Sequence, residues 1–167
     1  MFQLKPLSRE AVGRALEKAE RYRLLNEPGG AESICLDVLA VAPEHQDALI
    51  TLLLAITDQF DEDTSAKVRR ARDVLPRLGD AYKRAYYAGV IEERHARALL
   101  RRGMLRSGEA AYALLREAMR RYEEAERSRP PGDDEAILRW NTCARLLTEN
   151  QQLRPGEQED YEPAFEE

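Results

Sequence analysis

Residues 8–43 read SREAVGRALEKAERYRLLNEPGGAESICLDVLAVAP, and the breaks inside this stretch decide the fold. A helix is expected from about Ser8, a capping residue, to Leu25. Asn26-Glu27-Pro28-Gly29-Gly30 then ends it. A second helix is expected from about Gly30 to Ala42, where Pro43 closes it, because proline lacks the amide donor that a continuing helix needs. Two helices joined by so short a break must pack as antiparallel neighbours, so the unit is a helical hairpin.

The same grammar runs outward along the chain. Segments rich in Ala, Leu, Arg and Glu alternate with short Pro, Gly and Asp breaks, and strand patterns are nearly absent. A third helix carries the apolar run Ala48 to Ile56, and a fourth starts near Thr64 and stops before Pro76. Two long helices follow, at about 80–102 and 107–128, and a seventh spans about 133–150. Counting back from three prolines gives one repeated spacing: Val38, Cys35 and Ala31 before Pro43; Ala71, Val68 and Thr64 before Pro76; Ala125, Tyr122 and Ala118 before Pro130. Each set lies on one face of the second helix of a hairpin. Small residues let two helices approach closely and the larger one between them fills the gap.

These residues resemble the tetratricopeptide repeat family. Ala19-x-x-Tyr22, Ala31-x-x-x-Cys35 and Pro43 carry the likeness best. Ala15 and Lys18 replace the family's Trp and Leu, Leu53 replaces a small residue, and the third hairpin exceeds the ~34-residue period by about 20 residues. The resemblance implies an all-α fold: hairpins over residues 8–150 stacked as a short superhelix of about seven helices, the seventh a C-terminal cap. It also implies a concave peptide-binding surface on the first helices, with Glu20, Arg23, Ile50, Leu54, Arg97, Arg101, Asn141 and Arg145 in its lining. Leu16 and Glu20 stand where a chaperone-tail clamp needs Lys and Asn, which argues against that ligand.

Composition narrows the function classes. The chain has 167 residues, a net charge of -5 and 43% hydrophobic residues, which suits one domain with a core. No apolar run approaches the ~20 residues of a membrane span. No secretory stretch opens the chain, and Cys35 and Cys143 form no paired motif, so the expected compartment is the cytoplasm. His45 and His95 match no zinc spacing, and there is no phosphate loop or nucleophile elbow. His45 is expected at the surface and His95 on a charged helical face. The expectation is a binding protein and not an enzyme, without cofactor or metal.

Charge points to where binding occurs. Residues 1–66 hold 6 basic and 12 acidic side chains, residues 67–106 hold 12 and 4, and residues 130–167 hold 3 and 10. On the fifth helix Lys83, Tyr87, Val90, Arg94, Arg97 and Arg101 recur at steps of four and three and form a stripe. Each charge taken singly also fits an ordinary solvated face, with Glu93 and Arg97 pairing one turn apart. As a set, Lys83, Tyr87, Arg94, Arg97 and Arg101, with Asn141 and Arg145 on the seventh helix, are the candidate peptide-binding residues. The expected partner is an acidic or aromatic-acidic protein segment, with the chain a monomer or weakly self-associating. A second reading has the 67–106 patch bind nucleic-acid phosphates. Residues 1–7 are expected to be extended. Residues 151–167, with six acids and one Arg, are expected to be a flexible acidic tail, either solvated or competing for the stripe. Trp140, with Ile137, Leu138, Ala144 and Leu147, is expected to seat the cap helix.

Overall fold

The computed structural model describes residues 2–61, 64–103 and 107–155. These residues form seven α-helices and no strand: α1 (Val12–Leu24), α2 (Pro28–Val41), α3 (Gln46–Thr57), α4 (Thr64–Val74), α5 (Ala81–Arg102), α6 (Ser107–Glu126) and α7 (Glu135–Glu149). Short 3-10 turns at Arg9–Ala11 and Leu75–Arg77 precede α1 and follow α4. Breaks fall where the backbone chemistry requires them. Asn26 takes φ 61° to turn the chain out of α1, a conformation asparagine tolerates better than most residues. Pro28 then opens α2 in its first turn, where no amide donor is needed. Asp80 caps α5 by accepting from the Tyr82 amide at 2.8 Å, and Gly103 closes it at φ 60°. His45 is not a bare surface residue; it is half-buried and caps α3, its Nδ1 facing the Ala48 amide.

Each helix packs on the next in sequence, which gives the stacked hairpins α1/α2, α3/α4 and α5/α6 with α7 laid against α6. The nine residues picked out by proline spacing are all buried: Ala31, Cys35, Val38, Thr64, Val68, Ala71, Ala118, Tyr122 and Ala125. The periodicity therefore marks the seam of every hairpin. Two cores result. One joins α1 to α4 with Ile91 and Ala98 of α5, and the other joins α5 to α7 with Leu153. Leu54 and Tyr87 touch both.

Of the N-terminal apolar residues only Leu7 packs against the core, while Phe2 and Leu4 are fully exposed. On α7 the buried residues are the small Ala136 and Cys143; Trp140 is half-buried and Leu138 is exposed. The Trp140 indole N–H donates to Glu123 Oε1 at 2.9 Å, and the half-buried ring packs against the second core with Ala144, Leu146 and Leu147. These partly buried side chains, the small buried residues and charge pairs together seat α7. Of the expected acidic tail, residues 156–167 lie outside the described residues.

The α5/α6 seam is tightly packed where the Tyr122 ring lies against Gly89. A Cβ at residue 89 would stand 2.5 Å from Tyr122 Cε1, and Tyr122 is itself buried. Gly89→Ala is accordingly expected to lower stability by about 1–3 kcal/mol in chemical denaturation. Gly13→Ala, on the exposed face of α1 with nothing nearby, is expected to raise it by about 0.5–1 kcal/mol.

Candidate binding groove

The first helices of the hairpins, α1, α3 and α5, lie side by side. Where α1 and α3 end and α5 runs on, they enclose a groove of about 400 Å³ lined by Arg23, Leu24, Asn26, Pro28, Thr57, Asp58, Arg94, Arg97 and Arg101. Four arginines face one carboxylate there. Such a concentration of like charge is stable only if the guanidiniums are paired or reach water.

Both solutions are used. Asp58 accepts from Arg23 Nε at 2.7 Å on one oxygen and from Arg94 Nη1 on the other. The same Arg94 nitrogen donates to Thr57 Oγ1 at 2.6 Å and to the Leu54 carbonyl at 3.2 Å. Burial pushes the Arg94 guanidinium below its ordinary range, and Asp58 opposes that shift. A second carboxylate, Glu93, lies just below the groove and is 1% exposed. It accepts from Arg97 Nε at 3.0 Å, from Tyr122 Oη at 2.8 Å and from Arg139 Nη1 at 3.3 Å. Burial, then the Glu93 charge, pushes the Tyr122 phenol up, so its proton stays in place. Burial acts against the Arg139 charge, yet Glu93 and Tyr86 carry it above its ordinary value. Each of the two carboxylates is thus shared by two guanidiniums, and each cluster keeps one unmatched positive charge.

The arginines divide by accessibility. The Arg23 and Arg94 side chains are each 21% exposed, against 37% for Arg97 and 55% for Arg101. Arg101 meets Asp61 at 2.7 Å, but Asp61 is 66% exposed, and a pair in that setting contributes ~0–1 kcal/mol and exchanges readily. Arg97 and Arg101 are therefore the groove's available cations. Leu24, 88% exposed, and Pro28 give it an apolar wall.

The sequence-derived stripe requires correction. Val90 is in the core, and Tyr87 is half-buried between the two cores, where burial pushes its phenol up to about 12. Lys83 is half-buried near the start of α5 and does not line the groove. Neighbouring helices cover most of α5, so only its last turns open to solvent. Of the candidates, Arg94, Arg97 and Arg101 converge; Asn141 and Arg145 sit on α7 outside the lining. Arg23, implied by the repeat resemblance, does line the groove, whereas Glu20 and Ile50 do not. Asp58, Thr57 and Leu24 were not anticipated: Asp58 meets partners 35 and 36 residues away, a separation that leaves no local pattern.

The basic segment 67–106 is likewise not one surface. Arg70 pairs with Glu32, Arg72 with Glu92 at 2.6 Å, and Arg77 donates to the Pro43 carbonyl at 2.7 Å. Arg84 and Lys67 donate to the carbonyls of Leu78 and Gln59. These cations tie hairpins together and point in different directions. His95 packs its ring edge-on to Phe60, with centroids 6.5 Å apart, and burial lowers its pKa. Among the described residues no group of His, Cys, Asp and Glu is placed to hold a metal ion, and no helix is long and apolar enough to cross a membrane. No family model, curated protein or solved structure matches the chain.

Asp58 is the joint of this arrangement. Asp58→Asn keeps its shape but leaves two largely covered guanidiniums sharing a neutral partner. The expected result is a loss of about 1–3 kcal/mol in thermal or chemical unfolding, with helical content unchanged by circular dichroism.

Proposed function

We propose that this chain is a helical-hairpin interaction module of the tetratricopeptide-like kind, and that it binds an acidic, aromatic-bearing segment of a protein partner in the α1/α3/α5 groove. One observation carries the reading: a concave cleft lined by four arginines and one carboxylate, in which Arg23 and Arg94 are held by Asp58 while Arg97 and Arg101 are the more exposed cations. Arginine's planar fork suits carboxylates, including two-point contacts. Leu24 and Pro28 beside the arginines suit an apolar or aromatic side chain next to the acids. Two buried free thiols, Cys35 and Cys143, both pushed up to about 12 chiefly by burial, support a reducing compartment such as the cytoplasm.

The anchoring cost at Arg97 is low because Glu93 holds it before any ligand arrives, and a side chain already ordered loses little freedom on binding. Charge complementarity of this kind governs encounter rate and partner choice more than affinity, so binding should weaken as salt is added.

A fluorescence-anisotropy titration tests the reading, using a labelled peptide of alternating acids with one tyrosine and its Gln/Asn counterpart. The acidic peptide is expected to bind and the neutral one not. Arg97→Glu combined with Arg101→Glu is expected to weaken binding by at least about tenfold, roughly 1.4 kcal/mol. Arg120→Glu with Arg121→Glu, on α6 away from the groove, should leave it unchanged. Indifference to the Arg97 and Arg101 reversals would remove the groove from the account. Tighter binding of labelled RNA than of the peptide would transfer the role to nucleic acid.

A further inference from the structure

The course of the chain after α7 brings an acidic segment back toward the groove. Leu153 is buried in the second core, and the Gln152 carbonyl lies so close to Gly108 that a Cβ there would stand 2.4 Å from it. The chain therefore crosses the start of α6, next to the turn that follows Arg101 and Arg102. The four-residue step from Gly103 to Ser107 spans at most about 14 Å, and the three from Gln152 to Pro155 about 11 Å. Residues 156–167 then supply twelve more, a reach of up to about 40 Å. Even at these limits the tip of the segment meets the Arg101 end of the groove, and any shorter path lets more of it enter.

The composition of this segment matches the lining. Residues 156–167 read GEQEDYEPAFEE, with six acids, no base and two aromatics. The groove sets Arg97 and Arg101 beside the exposed Leu24 and Pro28. Acids and rings on one side thus face cations and apolar surface on the other. We propose that residues 156–167 occupy the groove of their own chain and mask it from the acidic partner. The inference rests on reading the groove as a site for acidic segments. A segment tethered this closely acts at an effective concentration on the order of millimolar, so weak intrinsic affinity is enough to populate the contact. A partner must then outcompete the segment, which sets a threshold on the strength of ligand that the module accepts.

The test uses the full chain throughout. A labelled peptide of residues 156–167 is titrated into the unaltered chain and into a chain carrying Glu157→Gln, Glu159→Gln, Asp160→Asn, Glu162→Gln, Glu166→Gln and Glu167→Gln. The neutralised chain is expected to bind the peptide at least about tenfold more tightly, equally at low and high protein concentration. Adding Arg97→Glu and Arg101→Glu to it should abolish the gain, with circular dichroism confirming the fold. Equal, measurable binding to both chains would overturn self-masking and leave the groove reading intact. Binding to neither would overturn the groove reading and this inference with it. A gain that survives the arginine reversals would place the segment elsewhere. A gain that grows with protein concentration would place it in a neighbouring chain's groove.

Discussion

The Arg94 guanidinium ties α5 to the end of α3 where the two cores meet. Ile91 and Ala98 of α5 already pack into the first core, and Arg94 adds a polar tie beside them. Arg94 reaches across and donates to the Leu54 carbonyl, Thr57 Oγ1 and Asp58, all at the end of α3. Asp58 passes the tie on to Arg23 of α1. Hydrogen bonds to charged groups contribute about 1.5–3 kcal/mol each, and here they are shielded between helices. Leu54 and Tyr87 pack around the same crossing and touch both cores. The relative placement of three helices, and hence the width of the groove between them, rests on this junction.

A second junction is built on Glu93, the residue just before Arg94 on α5, and faces α6 and α7. Glu93 collects Arg97, Tyr122 and Arg139, which joins α5 to α6 and α7. A fully buried carboxylate is costly unless every lone pair finds a donor, and this one has three donors. Its position adds a charged tie to the apolar contacts that Trp140, Leu146 and Leu147 make with the second core. Tyr82, donating to Asp133 at 2.7 Å, adds a tie from the start of α5 to the turn before α7. The chain thus spends most of its central cations on internal bonds, and only the surplus is left facing the groove.

How much of this was legible in the sequence follows from the range of each interaction. Helix ends were readable because Pro, Gly and Asn act within a few residues. The hairpin seams were readable because Ala31, Cys35 and Val38 recur at the same distance from proline as Thr64, Val68 and Ala71, and a helix turns spacing into a face. The binding residues were only partly readable. Steps of four and three along α5 placed Arg94, Arg97 and Arg101 on one side, but nothing local told which would be pinned and which open. That distinction depends on Asp58, Thr57 and Glu93, whose partners come from other helices. Trp140 packs against the second core as its size suggests, but only in part, because its indole N–H is satisfied by Glu123 on α6.

Side-chain NMR of the arginines measures the central claim most directly, because each Nε–Hε group reports on its own surroundings. On titration with an acidic, tyrosine-bearing peptide, the Arg97 and Arg101 signals should move together and saturate at one concentration. Those of Arg116, Arg120, Arg121 and Arg145, on other faces, should stay in place. Movement confined to the α6 and α7 arginines, with Arg97 and Arg101 unmoved, would contradict the account.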